Sequence, residues 1–322
     1  MRILAADPGE EIAPMNSPAT GQTAAQALGF DAEAKLLLIH ADDLGICHAA
    51  NQAFFRVFEA GMVKSGSIMM TCPWVNEVAA YSRGHPDADI GVHLTLNSEW
   101  QTLRWGPVAS SNRVKSLLDP DGCLWRAPMD TLAHADTDEI GIELTAQIEK
   151  ALAIGLEPTH LDFHMGTVFL KPEWVEIALT LSRKYDTPLT LVRWSEDFGR
   201  REVGTRGVPP DYMQSLLQNI EQRGLSCLDH FITVIDGIDL PARRAAYHKV
   251  LQELPPGITE LIIHPGLDSD EMRTMMSGAY GGHTKRISDC QVFCEPATRR
   301  LIEQCGIQLI SWQDLVPRIR QR

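Results

Sequence analysis

The chain has 322 residues, 44% of them hydrophobic and 22% charged, and carries a net charge of −13. That balance suits a globular protein with a large buried core, and the acidic surface repels a phosphate backbone, so no nucleic-acid partner is expected. No stretch approaches the ~18 apolar residues that a membrane span requires, so no membrane association is expected either.

Residues 1–30 read as a polar, partly flexible lead-in. Asp7 comes early, and Pro, Glu, Asn and Gln interrupt any apolar run, so no secretory pattern forms. The seven cysteines are odd in number and scattered without a CxxC pair. Free thiols in a reducing compartment, hence a cytoplasmic location, are the expectation.

From 31 to 322 the chain reads as one domain in which short apolar runs alternate with amphipathic stretches. A strand is predicted over 35–41 (KLLLIHA), then a helix over 48–59 that ends at Ala60-Gly61, a glycine C-cap. Strands follow at 67–71 (SIMMT) and 89–95 (DIGVHLT). The connection 97–137 is too long for an ordinary loop and carries Trp100, Trp105 and Trp125. A helix over 138–154 leads to a strand at 158–163 (PTHLDF). A proline-initiated helix over 172–185 leads to a strand at 188–194. Helices over 209–222 and 241–253 flank a strand at 229–235. A strand at 259–264 (TELIIH) opens a second long connection, 266–286. A helix over 288–305 and a strand at 307–312 complete the chain. Eight strands alternating with helices predict an α/β fold: a single (β/α) barrel-like domain, TIM-like with room for distortion, with long loops after strands 3 and 7. A doubly wound open sheet is the alternative.

The chemistry collects at strand ends. Asp42 and Asp43 follow the first strand, His93 lies near the end of the third, His160, Asp162 and His164 run through and past the fourth, and His264 closes the seventh. Parallel barrel strands share one carboxyl face, so these residues converge. A catalytic divalent ion takes three protein ligands and leaves a position for water. Asp43, His93 and His164 supply one carboxylate and two imidazoles. Asp42 then stands as general base and His264 as general acid. Mg or Zn fits this donor set, one ion per site.

Each residue also has a plainer reading. The paired aspartates could cap the helix at 48, and His93 or His264 could be hydrogen-bonded core residues. His160 and Asp162 could orient ligands or form a buried network. Arg193 could orient Asp42 or make an ion pair, and Trp194 could stack on a sugar or simply pack. His40, His48, His85, His134, His230, His248 and His283 carry no assigned role.

The segments LLIHADDLG (37–45) with Asn51 and Gly61, IGVHLTL (90–96), THLDFH (159–164) and LIIHPG (261–266) resemble the YdjC/ChbG/HpnK-like carbohydrate deacetylases. The resemblance implies a barrel-like fold, a divalent metal, and hydrolysis of an acetyl group from an N-acetylated sugar or oligosaccharide. It implies metal binding by Asp43, His93 and His164, a base at Asp42 and an acid at His264. Two features depart from the family: His40 stands where members carry Asn, and Met165-Gly166-Thr167 replaces further histidines. A metal hydrolase or isomerase of another small amide or sugar, or a non-catalytic carbohydrate-binding relative, are the alternatives. A homodimer is left open.

Overall fold

The computed structural model describes residues 22–203, 208–279 and 281–321. Among these are seven strands: β1 (Lys35–Leu44), β2 (Ser65–Ile68), β3 (Asp89–Leu94), β4 (Leu161–Phe163), β5 (His230–Ile232), β6 (Gly257–Ile263) and β7 (Ile307–Leu309). The longer helices between them are α1 (His48–Glu59), α2 (Val75–Gly84), α3 (Pro128–His134), α4 (Thr137–Ala153), α5 (Pro172–Lys184), α6 (Pro210–Gln222), α7 (Leu240–Gln252), α8 (Gly282–Val292), α9 (Pro296–Gln304) and α10 (Trp312–Ile319).

Every pairing is parallel, and the sheet runs β4-β3-β2-β1-β6-β5, with β7 added to β1. β1 is the centre. It pairs with β6 from Lys35 to Ala41, with β7 at its start and with β2 towards its end. A strand with neighbours on both edges and layers on both faces should be continuously apolar. Leu36, Leu37, Leu38 and Ile39 meet that requirement, and all are buried. The sheet curls into the barrel-like α/β form expected, and the carboxyl ends of its strands share one face.

The strand expected at 188–194 is reduced to two isolated parallel bridges, Leu189 to Leu161 and Val192 to Leu228. The cause is a change of partner midway. Thr190 donates its N–H to the Leu161 carbonyl, whereas Arg193 donates to that of Leu228. No run of ladder bonds develops, yet the segment links the β4 edge to the β5 edge. The helix expected over 288–305 is two, α8 and α9. Pro296 lacks an N–H and keeps Glu295 extended (φ −79°, ψ 129°), which ends one helix and starts the next.

Of the lead-in expected over 1–30, residues 1–21 lie outside the described residues. Residues from 22 onward are docked. Ala24–Ala27 forms a helical turn capped by Thr23, and Ala25 and Leu28 are buried. Asp229 secures it, accepting from Ala24 N–H at 2.6 Å and Ala25 N–H at 3.0 Å. The same carboxylate accepts from Ile258 N–H at 3.0 Å, tying the turn to β6. The connection 97–137 is ordered by its neighbours. Glu143 of α4 accepts from Val108 and Ala109 N–H, each at 2.9 Å, and Trp105 donates to the Asn97 carbonyl.

Asp229→Ala is expected to leave those three buried N–H donors unpaired. Their desolvation predicts a loss of at least about 2 kcal/mol, read by denaturant unfolding at constant slope; an unchanged midpoint would show the turn to be incidental.

Candidate functional site

The end of β1 shapes the site. Its register shifts between Ala41 and Leu44, and Asp43 adopts φ 65°. In a regular strand Asp42 and Asp43 would face opposite sides. The left-handed residue breaks that alternation, and both carboxylates line one cavity of about 630 Å³. The turn that follows is held by buried Asn51, whose Oδ1 accepts from Gly45 N–H at 2.7 Å. Cys47, not the aspartates, caps α1, so the capping alternative for the pair does not apply.

Asp43 lies at the bottom of the cavity. Its Oδ2 accepts from buried Arg286 of α8. Its Oδ1 is buried without a hydrogen-bond partner, 3.6 Å from His93 Nε2 and 3.3 Å from His164 Nδ1. Burial works against ionisation here, yet Arg286 and the nearby imidazoles hold the Asp43 carboxyl well below its ordinary value. His93 is set by its other nitrogen: Nδ1 donates to Asp162 Oδ1 at 2.8 Å, and Ser67 Oγ donates to Asp162 Oδ2 at 2.7 Å. That leaves Nε2 facing Asp43. His164, just past β4, points Nε2 to Glu99 Oε2 at 3.0 Å. Burial opposes its protonation, but Glu99 and Asp43 outweigh that and raise it to about 10. The chain can turn so sharply after His164 because Met165 and Gly166 are both left-handed, at φ 53° and 68°.

Asp43, His93 and His164 therefore bring three buried ligand atoms together within 4.8 Å. A buried carboxylate oxygen without a hydrogen bond, facing two imidazole nitrogens at 3.3 and 3.6 Å, is an arrangement that suits a cation. The donor set fits a divalent metal.

Asp42 and His264 stand above this group. Asp42 Oδ2 is 3.8 Å from His93 Nε2 and 3.9 Å from His264 Nε2. His264, half-buried, is positioned through its backbone N–H, which donates to Asp289 Oδ2 at 3.1 Å, while Asp289 is held by Arg243. Burial and Arg286 push its imidazole below the ordinary value, against the pull of Asp43, Asp42 and Asp289.

The structure brings together all five residues singled out in the sequence: Asp42, Asp43, His93, His164 and His264. Asp162 orients His93, whereas His160 pairs with His40 rather than with Asp43, His93 or His164. Arg193 lies elsewhere, paired with Glu221 and Asp229, and Trp194 packs on Phe198. His40, set aside on sequence, contacts Asp42 directly. Glu99 and Arg286 were not foreseen. Both come from the long connections, and their signal was only the length of those loops. Gly266 records the arrival of Arg286: a Cβ there would meet the Arg286 Cβ at 2.9 Å. Of the loop tryptophans, Trp105 and Trp125 are tied to carbonyls of their own loop. Trp100 lines the cavity, with the Arg286 guanidinium 6.0 Å over its ring.

Comparison with known proteins gives the family. The YdjC-like protein family matches residues 36–304. The chain belongs to the YdjC-like family. A carbohydrate deacetylase of Thermoanaerobacter pseudethanolicus is 26% identical over 87% of this chain and 99% of its own length. A chitooligosaccharide deacetylase of Yersinia enterocolitica is 25% identical, with the same coverage. Among solved structures, a putative cellobiose-phosphate cleavage protein of Enterococcus faecalis superposes with a TM-score of 0.69 at 26% identity, over 88% of this chain and 99% of that one. The match spans every segment of this YdjC-like chain that bears a candidate site residue. No helix among the described residues is long and apolar enough to cross a membrane.

Arg286→Met is expected to leave the Asp43 carboxylate buried without its counter-charge. In chelator-treated protein this should cost about 3–5 kcal/mol, measured by denaturant unfolding against wild type.

Proposed function

We propose that this YdjC-like chain is a metal-dependent carbohydrate N-deacetylase. The reading rests on one observation above the rest: the unpartnered Asp43 Oδ1 facing His93 Nε2 and His164 Nδ1, directly beneath Asp42 and His264. The names of the relatives supply the substrate class, an N-acetylated sugar or oligosaccharide.

Asp43, His93 and His164 would hold one divalent ion, with Mg and Zn the leading candidates for a mixed carboxylate and imidazole set. When bound, such an ion lowers the pKa of water and polarises an amide carbonyl. The residues do the rest. Asp162 keeps His93 in the tautomer that presents Nε2. Arg286 keeps Asp43 ionised. Asp42, with Oδ2 turned into the cavity, accepts the proton of the attacking water. His264, with Nε2 3.9 Å from Asp42 Oδ2, donates a proton to the departing amine nitrogen. Trp100 offers an aromatic face at the cavity wall for a sugar ring.

Acetate release from N-acetylated mono- and oligosaccharides, with metal analysis of the same preparation, tests the proposal. Asp42→Asn is expected to lower kcat by about 10²–10⁴-fold while metal content stays stoichiometric. His93→Ala is expected to lose the metal and the activity together. Full turnover by Asp42→Asn would sink the base assignment, and stoichiometric metal in His93→Ala at unchanged affinity would sink that ligand.

A further inference from the structure

The interior of the barrel below Asp42 is polar where an apolar core would serve the fold equally well. His40 is fully buried, with Nδ1 2.8 Å from Asp42 Oδ1 and Nε2 2.7 Å from His160 Nε2. His160 is also fully buried, with Nδ1 2.9 Å from Thr159 Oγ1. Thr159 Oγ1 in turn donates to Asp89 Oδ1. Asp89 collects further donors: Ser65 Oγ at 2.5 Å, Trp312 N–H and Gln313 N–H. An unbroken file of hydrogen bonds therefore runs from Asp42 to Asp89.

With Asp42 and Asp89 as carboxylates, one placement of protons satisfies every group in the file. Asp89 accepts from four groups, and these donors favour its carboxylate form against the opposing effect of burial. Thr159 spends its single proton on Asp89, so its oxygen accepts from His160 Nδ1–H. A neutral His160 with its proton on Nδ1 has only a lone pair at Nε2, so His40 Nε2 must be the donor there. His40 Nδ1 faces a carboxylate oxygen and must donate as well. His40 is thus an imidazolium, flanked by Asp42 on one side and neutral His160 on the other. Asp162 Oδ2 lies 3.9 Å from His40 Nε2, and the nearby Glu260 carboxyl is pushed up to about 8 by burial.

The fold makes room for this arrangement. The His160 ring stacks on Trp312, centroids 4.9 Å apart at 15°. A Cβ at Gly91 would overlap the same ring, so only glycine on β3 admits it. Neither feature is required by packing alone, since an apolar side chain at 160 would fill the space without needing a partner.

We propose that His40 is a positioning residue for Asp42, locked by His160. As an imidazolium donating to Oδ1, it fixes the carboxylate rotamer and turns Oδ2 into the cavity. This rests on Asp42 acting as the base. His160 prevents His40 from rotating, because its Nε2 lone pair accepts only when His40 holds that orientation.

The test uses the full chain, metal-loaded, with acetate release from di-N-acetylchitobiose. His40→Ala is expected to lower kcat about 10–100-fold, with KM and metal stoichiometry unchanged. His40→Asn, whose amide nitrogen stands near the former Nδ1 and can donate to Asp42, should restore most of the loss. His160→Ala should lower kcat less, and the His40→Ala/His160→Ala double variant should be no slower than His40→Ala. In an Asp42→Asn background His40→Ala should change nothing further. Wild-type kcat in His40→Ala beside a crippled Asp42→Asn overturns the proposal and spares the base assignment. A kcat loss that His40→Asn does not recover, or that is matched by lost metal, also overturns it. Nitrogen-15 NMR of the histidine rings in chelated protein needs neither turnover nor a variant. Two protonated nitrogens on His40 and one, Nδ1, on His160 support the proposal; a singly protonated His40 overturns it.

Discussion

Asp43 places an ionised carboxylate under the mouth of a parallel barrel, with Arg286 on one oxygen and two imidazoles around the other. Charge buried in this way is costly unless every group near it is paired and oriented. Much of the surrounding structure serves that requirement. Asp162 and Ser67 on neighbouring strands hold His93, Glu99 reaches in from a long loop to His164, and α8 delivers Arg286. A parallel sheet meets the need because all its strands end on one side, and helix-covered faces exclude water from the interior.

The two carboxylates at the end of β1 differ because their surroundings differ. Asp43 is enclosed, paired with a guanidinium and drawn towards the proposed metal position. Asp42 is partly open to the cavity and is held from below by His40. The left-handed turn at Asp43 creates the difference, since a regular strand would have sent one of them out of the cavity. The proposed division of labour, one carboxylate for the ion and one for the water, thus follows from a single backbone irregularity at a strand end. The long connections then close the site, bringing Trp100 and Glu99 from one side and Arg286 from the other.

Several elements were open to sequence reasoning because they obey a local rule. Strands such as 35–41 and 259–264 are built on the apolar runs Leu36–Ile39 and Leu261–Ile263, and α1 ends just before Gly61. His93, His164 and His264 fall at strand ends, and parallel strands bring such ends together whatever their separation in the chain. The breaks lay where local and non-local preferences compete. The segment 188–194 has strand composition, but it changes hydrogen-bond partner halfway and yields only bridges. Helical periodicity spans 288–305, but Pro296 divides it. His40 carried no assigned role in the sequence, because its contacts depend on His160, 120 positions away.

The amino-acid sequence by itself determined the alternation of strands and helices, the convergence of Asp42, Asp43, His93, His164 and His264, and the resemblance that the family match bears out. These follow from periodicity and from the geometry common to parallel strands. Only the tertiary structure decided which nitrogen of each histidine faces Asp43, that Arg286 and Glu99 complete the surroundings, and that His40 and His160 sit beneath Asp42. Those are matters of side-chain direction and long-range contact, set by packing between elements far apart in the chain. For Asp42 and Asp43, their position after the first strand could say only that they lie at the carboxyl end of the sheet. The bulge in β1 decided that both look into the same cavity.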